Sequence, residues 1–156
     1  MINDNFALTG ALTIAVNNEV VQKTENLVVL VGKKWVANRL KDTGTSPTHT
    51  IKSQMTHMAI GKDTTPNSGA TVVNASDTTL VTEIDRNALT TAGGVVTDNT
   101  ITYECTWAAA DGTDAITEAG IFNASTGGDM FARTKFAVVN KGAADSMTIT
   151  WTITVS

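Results

Sequence analysis

An antiparallel β-sandwich of the jelly-roll type, with one short amphipathic helix, is the fold that this sequence predicts. Three observations support the prediction. The chain contains 28 threonines, a β-branched residue that suits the solvated face of a sheet. Residues 147–155 and 100–107 alternate between apolar and polar side chains, as half-buried strands do. Residues 31–42 instead follow a helical period, so the fold is mainly β with a single helix.

The first half of the chain begins with a predicted hairpin. Residues 11–16 alternate, and two asparagines follow before a second polar and apolar stretch. In the helical segment 31–42, Val31, Trp35, Val36 and Leu40 share one face. Residues 62–79 are polar and predict a long surface loop. The pattern of "TLVTEIDRNAL", residues 79–89, leaves both a helical turn and a strand open.

The second half of the chain predicts four strands that supply most of the core. They are expected at 100–107, 116–122, 130–138 and 147–155, with the paired glycines of "STGGD" forming a hairpin turn between the middle two. Their apolar faces nominate five core residues: Trp107, Cys105, Phe122, Trp151 and Ile149.

Composition narrows the classes of function. At 156 residues the chain fits one domain, 1–156. Eleven basic residues stand against 15 acidic ones and form no basic run, which argues against nucleic-acid binding. No apolar stretch reaches the roughly 20 residues of a membrane span. A single cysteine excludes an intrachain disulfide and any zinc site built on cysteine pairs.

Signals for catalysis or metal binding are weak. "GKDT" at 61–64 lacks the first glycine and the final hydroxyl of a phosphate-binding loop. "DTTPNSG" departs from a calcium loop at one ligand position, Thr65, and at the obligatory glycine, where Ser68 stands. His49 and His57 have no second ligand at metal spacing, and Cys105 falls on an apolar face. We therefore expect no catalytic residue, no cofactor and no metal.

Glu118 is a charged residue within the otherwise apolar run "AITEAGIFNA". A carboxylate in this setting either has a raised pKa that serves catalysis or is held by a structural partner. The hairpin brings Glu118 near residues 131–134, so Arg133 is one candidate partner, and Arg86 is the other. We predict a structural ion pair that fixes the register of the sheet.

Five segments taken in order resemble a family of small virion proteins of tailed bacteriophages. That family has a met-ala-ile-gly strand, a leu-x-x-glu-x-x-arg segment, a glu-ala-gly-leu-phe strand, an ala-arg-x-x-phe strand and a terminal Thr-rich strand. The corresponding segments here are Met58 to Gly61, Leu80 to Arg86, Glu118 to Phe122, Ala132 to Phe136, and Met147 to Val155.

The resemblance implies a non-enzymatic role in a virion that is assembled in the bacterial cytoplasm. Because the chain stops after its last predicted strand, without the shaft of a fibre, a capsid decoration protein that clamps neighbouring capsid subunits is our first expectation. A tail, collar or baseplate component, such as a fibre adaptor, is the alternative. A carbohydrate-binding module using the loop 62–79 ranks third, since all three tryptophans fall at apolar-face positions.

The expected partners are other copies of the chain, with a trimer as our estimate, and the major capsid protein. Open strand edges of an isolated sandwich favour such association. Residues 1–10 form a candidate N-terminal arm in which Ile2, Phe6 and Leu8 contact a partner, although the same stretch also fits the first strand of the sandwich.

Overall fold

The computed structural model describes residues 7–41, 53–63 and 73–156. Within these ranges, ten strands form two antiparallel sheets, and one helix packs beside them. In chain order the elements are β1 (Leu8–Val16), β2 (Glu19–Glu25), β3 (Leu27–Val28), α1 (Leu30–Lys41), β4 (His57–Gly61), β5 (Glu83–Ala88), β6 (Val95–Thr97), β7 (Thr100–Trp107), β8 (Asp114–Phe122), β9 (Met130–Lys141) and β10 (Met147–Val155).

Each sheet has five strands. Sheet A has the order β2-β1-β10-β7-β6, and sheet B has the order β3-β9-β8-β4-β5. The β1–β2 hairpin turns at Asn17 and Asn18, whose φ angles of 50° and 66° suit the tight turn that asparagine tolerates. This architecture confirms the predicted antiparallel β-sandwich with a single short helix.

The main core fills the space between the two sheets. Alternate residues of β1, β7 and β10 point into it from sheet A, because the side chains of a strand alternate between its two faces. Four of the five nominated core residues lie in this cluster and are fully buried: Trp107, Cys105, Trp151 and Ile149. Phe122 is equally buried but belongs to a second cluster on the outer face of sheet B.

Helix α1 lies against β9 and agrees within one residue with the predicted segment 31–42. The Trp35 ring meets the Phe131 ring edge-on, with 5.7 Å between the ring centroids. Gly32 allows this close approach, because a Cβ at that position would lie 2.0 Å from the Phe131 carbonyl oxygen.

Two segments that the sequence left open are now assigned. Residues 83–88 form strand β5, at the edge of sheet B. Leu8 begins β1, pairs with Val155 and packs against the core, so it does not belong to a free arm. Ile2 and Phe6 lie outside the described residues.

Candidate functional site

Glu118 lies on the outer face of sheet B, although its neighbours in β8 are apolar. A register shift after Ile116 changes which side chains face the core, so Ile116 and Ala119 both point inward and Glu118 points outward. The segment 73–82 covers this part of the sheet, and Glu118 is 0% exposed. Its Oε1 accepts hydrogen bonds from the backbone N–H groups of Val81, at 2.9 Å, and Thr82, at 3.2 Å.

Arg133 of β9 pairs directly with Glu118. Its Nε and Nη2 both donate to Glu118 Oε2, at 2.9 and 2.6 Å. Burial alone would lower the pKa of Arg133, but hydrogen bonds to Glu118 and Asp77 and the charges of these carboxylates raise it above the usual arginine value. Arg133 therefore keeps its positive charge within the fold.

Three further charged residues join this pair and complete what we call the ion cluster. Arg133 Nη1 donates to Asp77 Oδ2 at 2.6 Å, and Nη2 lies 3.3 Å from Asp63 Oδ2. The Nζ of Lys135 lies 2.6 Å from the same Asp63 oxygen. Three carboxylates thus meet two cations, and the hydrogen bonds satisfy the planar guanidinium on several sides.

The ion cluster ties two separate described segments, 53–63 and 73–82, to sheet B. Asp63 precedes the stretch 64–72 and Asp77 follows it, while Arg133 binds both. Gly61 makes room for this arrangement, since a Cβ there would lie 2.6 Å from the Thr82 carbonyl oxygen and 2.9 Å from Glu118 Oε1. The cluster therefore holds elements together rather than lining an open cleft.

The predicted partnership of Glu118 and Arg133 is confirmed, but two details of the prediction are wrong. The Cα partner of Glu118 is Lys135 rather than a residue within 131–134, because of the register shift in β8. Arg86 does not join the ion cluster. It belongs to edge strand β5, where Glu83 lies closer to it than Glu118 does.

Arg86 organises the β8–β9 turn instead. It forms a two-point pair with Glu83, through Nε at 2.9 Å and Nη2 at 2.6 Å, and its Nη1 donates to the carbonyl oxygens of Ala124 and Gly127. The guanidinium carbon lies 3.7 Å from the centroid of the Phe122 ring, in a cation–π contact. The turn is thereby tied to β5.

A small apolar cluster surrounds these charged groups on the outer face of sheet B. Leu80, from the segment that covers the sheet, packs there with Phe122. Gly120 leaves room for Leu80, because a Cβ at position 120 would lie 3.1 Å from Leu80 Cδ2. The other members are Val29, Ala59 and Met130, with the partly buried Val31 beside them.

A second carboxylate pair, which no sequence pattern indicated, lies where β5 meets the loop after β7. Asp85 lies near enough to Asp111 for the charge of Asp111 to act on it, and the Asn87 Nδ2 donates to Asp111 Oδ2 at 2.6 Å. Burial, followed by the charge of Asp111, raises the pKa of Asp85. Two adjacent carboxylates disfavour full ionisation, and only the folded topology brings them together.

Replacing Asp85 with asparagine is expected to stabilise the protein at pH 7. A carboxyl whose pKa is raised on folding favours the native state at low pH, and that contribution is lost as the pH rises through the native pKa. The variant should therefore be more stable than the wild type at pH 7 and lose the advantage below the unfolded pKa of aspartate. Urea unfolding between pH 3 and pH 8 measures the difference. A variant that is less stable at pH 7 would contradict it.

Cys105 and His57 are the other titratable residues that the sequence singled out, and the first is buried and the second partly buried. Burial, together with the nearby charges of Asp85 and Asp111, raises the pKa of the Cys105 thiol to about 12, far from the range of a reactive thiolate. The His57 Nδ1 contacts Thr56 Oγ1 at 2.8 Å, and burial and Arg86 lower the pKa of the ring. Among the described residues, no group of three or more His, Cys, Asp or Glu side chains is placed to hold a metal ion. His49 lies outside these residues.

Comparisons with known proteins identify no relative. No family model, curated protein or solved structure matches the chain. In the part of the chain that the structure covers, no helix combines the length and apolar character needed to cross a membrane.

Proposed function

We propose that this protein is a non-enzymatic structural subunit of a tailed-bacteriophage virion. The location that we rank first is the outside of the head. There it acts as a decoration protein that clamps neighbouring copies of the major capsid protein and associates with itself. The resemblance of five sequence segments to small virion proteins supports this proposal, and the geometry supports it in two ways.

The observation that carries the proposal is the exposure of both edges of sheet A. Edge strand β2 presents Val20 and Val21, which are 57% and 53% exposed, and edge strand β6 presents Val95 and Val96, at 54% and 68%. Unpaired strand edges that carry adjacent apolar residues favour pairing with another chain. A subunit whose edges are covered by neighbours in an assembly would bury these valines.

The second support is that three of the five segments that carry the resemblance contact one another on sheet B. Leu80 packs on Phe122, Arg86 stacks on the same ring, and Glu118 binds Arg133. These residues come from distant parts of the sequence and form one interlocked unit on sheet B. Their polar groups bind one another and the backbone, which is what a rigid assembly unit requires.

The copy number of the chain in purified phage particles tests the proposal. Quantitative mass spectrometry against the major capsid protein should give about one copy per capsid subunit, or about one per three, as lattice symmetry requires. A ratio below about one in ten would instead favour a tail, collar or baseplate component, the alternative position in the same virion. Absence from particles would contradict both positions.

A further inference from the structure

The outer face of sheet A is a surface of small residues, which we call the threonine face. Its charged residues lie on the flanking strands, Lys23 and Glu25 on β2 and Glu104 on β7, and Glu25 is in the same row as Thr102. It is formed by outward-pointing residues of the four adjacent strands β2, β1, β10 and β7. Thr and Ala dominate its two central strands. The residues of these two strands are Thr9, Ala11, Thr13, Ala15, Thr148, Thr150, Thr152 and Thr154.

The register of the strands arranges this face in rows. In the middle row, Lys23 of β2 pairs with Thr13, Thr13 with Thr150, and Thr150 with Glu104 of β7. Lys23 and Glu104 are therefore three strand spacings apart, about 14 Å. Neither forms an ion pair within the described residues, and both side chains are exposed.

We propose that two copies of this chain associate through their threonine faces. The two-fold axis runs parallel to the strands and passes between β1 and β10. This operation places β2 over β7 of the second copy, so Lys23 lies opposite the partner subunit's Glu104 and Glu104 lies opposite the partner subunit's Lys23. The inference rests on this face and not on the position of the protein in a virion.

The charge pattern selects this axis among the alternatives. A two-fold axis perpendicular to the strands, through the middle row, would place Lys23 opposite the partner's Lys23 and Glu104 opposite the partner's Glu104. An axis along β10 would place β2 over β6, which carries no acidic residue within Val95–Thr97. Opposite charges that meet twice across a symmetric interface set its register, whereas like charges oppose it.

The composition of the face also suits close packing of two sheets. Threonine and alanine are small enough for the roughly 10 Å separation of stacked sheets. Four strands of seven to nine residues cover on the order of 500 Å² per subunit, or about 1,000 Å² in total, which is the lower limit of specific interfaces.

Several threonine hydroxyls already have partners within the chain, which lowers the cost of removing water from the face. Thr102 and Thr152 hydroxyls lie 3.2 Å apart, and those of Thr106 and Thr148 lie 2.9 Å apart. A buried hydroxyl is costly only when it loses its hydrogen bond. Burial in a dimer therefore preserves these contacts.

Analytical ultracentrifugation of the full chain tests this interface. The wild-type protein should sediment as a dimer of the 16.4 kDa chain, in equilibrium with monomer at micromolar concentrations. Lys23→Glu should weaken the dimer at least about tenfold, because two attractive pairs become repulsive. The double variant Lys23→Glu/Glu104→Lys should restore it, and Lys34→Glu, at an exposed lysine of α1, should leave it unchanged.

A second variant tests the same interface by steric exclusion. Ala15→Arg places a bulky side chain beside the proposed axis and should yield a monomer with an unchanged circular dichroism spectrum. Three results would overturn the proposal: a wild-type monomer at all concentrations, an oligomer that both Lys23→Glu and Ala15→Arg leave intact, or a failure of the double variant to recover.

Discussion

Replacing Arg133 with methionine is expected to lower the free energy of unfolding by about 3–5 kcal/mol. The substitution leaves Glu118, which is 0% exposed, without its cationic partner and frees the Asp77 carboxylate that Arg133 also binds. Removing one partner of a buried ion pair costs far more than replacing both, because it leaves an unpaired charge in the interior. Urea denaturation followed by tryptophan fluorescence measures the change.

Two further variants separate the buried charge from the loss of packing. Arg39→Met removes an exposed arginine that lies over the Trp35 ring, and should cost less than about 1 kcal/mol. Glu118→Gln combined with Arg133→Met removes the buried charge while the amide oxygen still accepts from Val81 and Thr82. This double variant should be more stable than Arg133→Met alone. A loss below about 1 kcal/mol for Arg133→Met would show that the ion cluster does not stabilise the fold.

Replacing Trp151 with alanine is the second substitution with a large expected effect, a loss of about 3–5 kcal/mol. Trp151 lies in the middle of β10, fully buried, with Leu12 and Tyr103 as its cross-strand neighbours. Truncation leaves a cavity between the sheets that the surrounding strands fill only in part.

The matched control for this cavity is Trp151→Phe. Phenylalanine retains most of the buried apolar volume, and the indole Nε1 has no hydrogen-bond partner among the described residues, so the loss should be less than half that of alanine. Thermal and urea unfolding of both variants give the comparison. Equal losses in the two variants would contradict this expectation, because filling most of the cavity would then restore no stability.

The sequence predicted most where the information is local. The alternation in residues 147–155 and 100–107 identified β10 and β7, because a strand with one buried face records that face at every second residue. The pair of Glu118 and Arg133 was predictable for a similar reason, since one hairpin connects the two residues.

The remainder of the ion cluster was not predictable from the sequence. Asp63 and Asp77 lie 70 and 56 positions before Arg133, and nothing in their local sequence differs from an ordinary polar loop. Strand β5 was ambiguous because Asp85 and Asn87 occupy its inward face where apolar residues are expected, and the partner of Asn87 is Asp111, in the loop after another strand. Both depend on contacts that only the complete topology creates.

The position of β10 in the centre of sheet A has a consequence for the biosynthesis of the protein. Strand β1 pairs with β10 along its whole length, from Leu8 with Val155 to Val16 with Met147, residues more than 130 positions apart. During translation β1 emerges from the ribosome long before its central neighbour is made, and until then it has only β2 beside it. Folding is therefore post-translational and, with such distant pairings, slow. A nascent chain exposes Leu12 and Ile14, the inward-facing residues of β1, for most of its synthesis, when chaperones have the greatest opportunity to bind them.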